Sequence, residues 1–265
     1  MVRPLEDYVM KSRFVFGALA MAAFVGCGGD DGGGGGGIKV PDAGMNQQPD
    51  APPAATCNAK PDYGTPTPMA QGALRYCATS TALVKCPTTA TTGTMGTAAD
   101  PIFVVYVAQL NADNDFFSFE MWKGTEPFMD KIKPAANINL GDATQSQWKT
   151  CSACAYVQAK VNTQTGDDMG LYLANGGTAN VTTVTMVNDP MMTKIAGSVS
   201  TVNMVHVDID MTSFMSTPSA DGCSTKVGSL SFDTAVRDPM MMLTNDPLER
   251  HALQVAQRAY AKLTR

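Results

Sequence analysis

Every residue from 28 to 37 is glycine or aspartate, and a tract of that kind cannot take part in a fold. Glycine loses more backbone freedom on ordering than any other residue and brings no side chain to pack, so the tract reads as a flexible tether. Residues 38–55 continue it with Pro, Asp, Gln and Ala, a stiffer segment that is also expected to be disordered. The tether thus covers 27–55, and whatever this chain folds into must be built from residue 56 onward.

What precedes the tract gives it a purpose. Lys11 and Arg13 are followed by thirteen uncharged residues, 14–26, and the run ends Phe24-Val25-Gly26-Cys27. This is the layout of a lipoprotein signal peptide over residues 1–26, with a small residue before the cut and a cysteine after it that takes lipid. Phe24 stands where Leu is more usual. The apolar run falls short of the about 20 residues that a spanning helix needs. The expectation is export, acylation at Cys27, and residence in the cell envelope on the outer membrane, with the lipid anchor as the membrane contact. An ordinary secretory signal that leaves Cys27 a free thiol is the plainer alternative.

Export sets the chemistry of the remaining sulfur. Cys57, Cys77, Cys86, Cys151, Cys154 and Cys223 are an even set in an oxidising compartment, which implies three disulfides with fifteen possible pairings. Cys151-Ser152-Ala153-Cys154 has the spacing of a thiol–disulfide redox motif, but that motif works at the start of a helix. Here an alternating segment with the character of a strand follows, so the pair reads as structural.

The charge of −5 becomes −6 when residues 1–26 leave, because Arg3, Lys11 and Arg13 go with Glu6 and Asp7. No Lys/Arg cluster tracks a phosphate backbone, which argues against nucleic acid as a partner.

Residues 56–245 read as an all-β domain, a β-sandwich or jelly roll. Strand signals occur around Tyr76 and Leu83-Val84, then at 102–110, 115–122, 153–160, 170–174, 180–187, 198–210 and 229–232. Asn, Asp, Gly and Pro punctuate them, and no crossover helix intervenes. Residues 246–265 are expected to form a C-terminal helix. Asp246 serves as its cap, Pro247 opens it, and Leu248, Ala252, Val255, Ala259 and Leu263 make one apolar stripe. That stripe is expected to pack on its own domain.

Several of these segments together resemble a group of uncharacterised secreted lipoproteins common in myxobacteria. Asp115-Phe116-Phe117-Ser118-Phe119-Glu120-Met121-Trp122 is similar to the group's strand with an acidic centre, at the place of Glu120. Ile138-Asn139-Leu140-Gly141-Asp142 resembles its leucine-glycine turn, and Lys149-Thr150-Cys151-Ser152-Ala153-Cys154 its threonine-cysteine-x-x-cysteine strand. Residues 170–181 look like a later strand-turn-strand, and Asp221-Gly222-Cys223 like the closing cysteine. The resemblance spans roughly residues 100–232. It implies a cell-envelope lipoprotein of unknown activity, and it carries no catalytic residues.

Candidate sites follow from residue chemistry. A non-catalytic binding or display role, toward polysaccharide or an envelope protein, would use Trp122, Trp148 and Tyr156 if they line one exposed face; core packing is the other outcome. A copper reading starts from the eighteen methionines, soft ligands for Cu(I). If Val205, Val207 and Ile209 face the core, Met204 and His206 share the opposite face with Asp208. A calcium reading uses Asn111, Asp113 and Asp115, with Asp167 and Asp168 in a second acidic turn, although Asn and Asp are also plain turn formers. A secreted hydrolase is the remaining reading. It has only His206 and His251 to draw on, besides carboxylates such as Glu120 with Asp142 or Asp208, and shows no nucleophile elbow or metalloprotease motif.

Overall fold

The computed structural model describes residues 56–78, 83–86, 100–187, 193–238, 248, 250–252 and 254–256. Cys27, the signal and tether segments, Asp246, Pro247, Ala259 and Leu263 lie outside the described residues. The strands are β1 (Ala70–Ala78), β2 (Leu83–Val84), β3 (Phe103–Gln109), β4 (Phe116–Trp122), β5 (Ala135–Asn139), β6 (Ala153–Ala159), β7 (Gly170–Thr185), β8 (Lys194–Ile209), β9 (Ser216–Pro218) and β10 (Ser224–Arg237). Residues 248, 250–252 and 254–256 are helical. The fold is thus all-β and sandwich-like, with a short C-terminal helix.

The pairing path runs β7-β6-β4-β3-β1-β10-β8 and returns to β7 through the β7–β8 ladder. One link is parallel, Ala73↔Val236 and Leu74↔Arg237 between β1 and β10. Strand β7 is long enough to serve two partners along one edge, β6 through residues 170–173 and β5 through residues 178–181. It bends between them, with register shifts around Gly176 and Thr178. Gly177 is needed there. Its φ is +103°, and a Cβ would stand 2.6 Å from the Thr201 carbonyl and 2.7 Å from the Val202 Cα.

Alternation along β3, β4 and β6 places side chains on two faces, and both are buried. Val104, Tyr106, Ala108, Phe117, Phe119 and Met121 face the interior. There Phe232 of β10 stacks on Tyr106 of β3 at 4.8 Å and meets Phe119 of β4 at 6.1 Å, contacts made across the core between non-neighbouring strands. Phe103, Val105, Val107, Phe116, Trp122 and Tyr156 face outward, yet Trp148, Phe214, Leu248, Ala252 and Val255 belong to the same cluster and cover them. Burial on both sides explains the near-continuous apolar runs of these strands. Each fully buried Phe or Leu contributes on the order of 2 kcal/mol.

The helix crosses this outer face as its apolar stripe requires. Leu248, His251, Ala252, Val255 and Ala256 are buried, and His251 stacks on Phe116 at 4.4 Å. Gln254 lies against Gly166, whose φ is +77° and where a Cβ would come within 1.8 Å of the Gln254 amide.

The disulfides are Cys57–Cys223, Cys77–Cys86 and Cys151–Cys154. Cys77–Cys86 holds β2 against β1 across 9 residues, and Cys57–Cys223 spans 166. Among the described residues no helix is long and apolar enough to cross a membrane.

Candidate functional site

Asp115 sits at the β3–β4 turn. The Asn111 side-chain oxygen accepts the backbone N–H groups of Asp113 and Asp115, each at 3.1 Å, and Asn114 takes a left-handed conformation with φ 62°. This turn chemistry delivers the Asp115 carboxylate inward, where it is 2 % exposed. Its Oδ1 accepts the Lys160 N–H at 2.8 Å. Its Oδ2 accepts the Tyr63 hydroxyl and the Asn111 amide, both at 2.7 Å. Burial, and next the Asp115 hydrogen bond, push the Tyr63 hydroxyl above its ordinary pKa. Asp113 is exposed on the same turn. Asp115 is thereby a fastening between three chain segments, its oxygens already satisfied, and does not join Asp113 in an oxygen cage. Asp168, from the second acidic turn, accepts from the Gln158 amide at 2.7 Å.

Glu120 lies at the middle of β4, fully buried on the outward face. Tyr156 donates its hydroxyl to Oε1 at 2.7 Å and Trp122 its indole N–H to Oε2 at 2.8 Å. Trp148 meets Tyr156 edge-on at 5.1 Å. Trp122, Trp148 and Tyr156 do share one face, as a binding surface would need, but they are 4 %, 3 % and 1 % exposed. They pack the second core and hold a buried carboxylate instead of presenting rings to a ligand. The Cys151–Cys154 disulfide joins the same cluster, with its cysteines 2 % and 0 % exposed. Asp142, the carboxylate weighed with Glu120 for hydrolysis, is exposed; hydrogen bonds from Thr144, side chain first and backbone second, hold it below its usual pKa.

On β8, Met204 and His206 do point the same way, but that way is inward. Met204 is 1 % exposed and belongs to the interior core, while Val205, Val207 and Ile209 join the outer cluster. From Met204 to Val207 every side chain is buried or half-buried, so an alternation argument that assumes one wet face does not apply there, while Asp208 beyond them is exposed. The His206 ring stacks on Tyr172 at 5.0 Å, and its Nδ1 lies 2.6 Å from Asp221 Oδ2. Asp221 Oδ1 accepts the Cys223 N–H at 2.9 Å, the main reason its carboxyl is held below the usual range; His206 adds to this and burial opposes it. Gly170 leaves room for the stack, since a Cβ there would stand 3.1 Å from Tyr172 and 3.2 Å from His206 Nε2. A histidine oriented by a carboxylate is half of a general-base arrangement. Here it straps the end of the core beside Cys57–Cys223. Among the described residues no three His, Cys, Asp or Glu side chains assemble a metal site.

The concavity of interest lies at the parallel β1–β10 seam, a cleft of about 230 Å³. Ala70, Gly72 and Leu74 supply one wall, Thr234 and Ala235 another, and Leu248 with Ala252 the rim toward the helix. Small residues on β1 keep it open: a Cβ on Gly72 would reach within 3.0 Å of Leu248.

Sequence reasoning missed Arg75, which is 1 % exposed and makes a two-pronged contact with Asp238 at 2.7 and 3.4 Å, donating also to the Val187 carbonyl at 3.1 Å. The signal was its spacing of two from Ala73, which puts it on the interior face. Fold and site together define a disulfide-stapled, all-β domain whose buried acids, Asp115 and Glu120, are held by hydrogen bonds from within the fold. Comparison with protein-family models, with curated proteins and with solved structures finds no match.

Proposed function

We propose that this protein is a lipid-anchored envelope protein, akin to the secreted lipoproteins its motifs resemble, held on the outer membrane through Cys27. Its stapled domain binds or displays rather than catalyses, with polysaccharide or another envelope protein as partner. One observation carries the reading: the three disulfides use six of the seven cysteines in the sequence, and the seventh is Cys27. The cysteine outside the pairs is the one that the signal layout assigns to acylation. Pairing of the others suits an oxidising compartment, where disulfides persist. Tyr63, Asn111 and Lys160 on Asp115, and Tyr156 and Trp122 on Glu120, favour the non-catalytic role, because these acids are already committed to hydrogen bonds. The test is cell fractionation of the full chain beside its Cys27→Ser variant. The anchor predicts native protein in the membrane fraction and the variant outside it; identical distribution of the two contradicts it.

A further inference from the structure

The large hydrophobic side chains most exposed among the described residues are all methionines: Met69, Met129, Met169, Met211 and Met215, from 41 % to 62 % exposed. No Phe, Leu, Ile or Trp whose side chain the structure describes is exposed to that degree. Packing does not explain the choice, since a half-wet aliphatic position accepts Leu or Ile equally well. Methionine is unbranched where they are branched, and it alone among them carries an oxidisable sulfur.

Four of the five also sit at one end of the fold. Met69 immediately precedes β1, Met169 immediately precedes β7, and Met211 and Met215 flank the turn that closes β8 onto β9. Antiparallel links run from β1 through β3, β4, β6 and β7 to β8, with Ala70↔Gln109, Gln109↔Phe116, Phe116↔Gln158, Gln158↔Leu171 and Leu171↔Val207 among their registers, so the start of β1, the start of β7 and the end of β8 lie at the same end of the ring.

We propose that these thioethers form an oxidant-consuming surface whose substrate class is small two-electron oxidants, hydrogen peroxide being the simplest. The sulfur lone pair attacks one peroxide oxygen, the O–O bond breaks, and an S–O bond forms. The second oxygen leaves as water after taking up the proton. Sulfur is oxidised by two electrons and one peroxide is reduced, so each methionine consumes one equivalent. Disulfide bonding has removed the six described cysteines as competing nucleophiles. The product suits these positions. A sulfoxide is polar, so at the surface it gains hydration, whereas at Met121 or Met204, 0 % and 1 % exposed, it would put a strong dipole into the core. The surface absorbs the reaction and the fold survives it.

The experiment is a hydrogen peroxide titration of the full chain, followed by peptide mapping and a thermal melt. The five exposed methionines are expected to reach the sulfoxide at least about tenfold sooner than Met121 and Met204, with the melting midpoint unchanged while only they have reacted. A second arm replaces Met69, Met129, Met169, Met211 and Met215 together by Leu. That variant is expected to fold, to take up five fewer equivalents, and to protect a co-incubated methionine peptide less well than the native chain. Equal reactivity of buried and exposed methionines, a melting midpoint that falls as the rim oxidises, or equal protection by the Leu variant would each overturn the proposal.

Discussion

The Tyr63 hydroxyl donates to the Asp115 carboxylate at 2.7 Å, tying the first folded segment to the β3–β4 turn across 52 residues of sequence. The same segment follows the edge of β10, with the Tyr63 N–H on the Lys226 carbonyl at 2.9 Å and the Thr225 hydroxyl on the Lys60 carbonyl. Tyr63→Phe keeps the ring and removes only the donor. A buried carboxylate deprived of one donor costs about 1–3 kcal/mol. Chemical denaturation should show that loss, and hydrogen exchange at the Tyr63 amide should quicken.

Tyr76→Phe should act in the opposite direction. The Tyr76 hydroxyl is buried and has no hydrogen-bond partner among the described residues. Removing it relieves an unpaid desolvation, so stability should stay level or rise by up to about 1 kcal/mol. The pair of tyrosine variants, measured side by side, separates a fastened hydroxyl from an idle one.

The disulfides should differ sharply in worth. Cys57–Cys223 closes 166 residues and Cys151–Cys154 only 3. Loop-closure entropy then gives about 5 kcal/mol for the first and under about 2 kcal/mol for the second. Replacing each pair by Ser and comparing urea midpoints checks the order; equal losses would contradict it.

Alkaline pH should destabilise the domain. Burial raises the pKa of Tyr63, Tyr76 and Tyr106 above their ordinary value of 10.0. Above that value the unfolded chain gives up protons that the native state keeps, so stability is whole below about pH 10 and falls as pH rises further. Urea midpoints should hold between about pH 8 and about pH 9 and decline from about pH 10 to about pH 11, and Tyr76→Phe should make the decline shallower.

Much of the fold was legible because its strands carry strong local patterns. The expected segments 102–110, 115–122 and 153–160 match β3, β4 and β6 to within a residue or so. The helix was read from its caps and stripe, and Leu248, Ala252 and Val255 are buried as that stripe requires. Two segments, 170–174 and 180–187, merged into β7, because Asn175-Gly176-Gly177 makes irregularities within a strand instead of ending it. Strand β5 was missed: Ala135-Ala136-Asn137-Ile138-Asn139 has weak strand propensity, and pairing with β7 supplies what propensity lacks. The site was less legible for a single physical reason. Alternation separates two faces but cannot say that both are covered, so Trp122, Tyr156 and Met204 were open to either exposure or core packing, as was Trp148 from its turn, and long-range packing buries all four.

The central claim is an exported domain held by lipid at Cys27, and the mass of the mature protein extracted from membranes tests it most directly. The account predicts a chain that begins at Cys27 and is heavier than its residues by a diacyl or triacyl modification, with six cysteines oxidised in pairs. A chain that retains residues 1–26, or one that lacks lipid at its amino terminus, would contradict it.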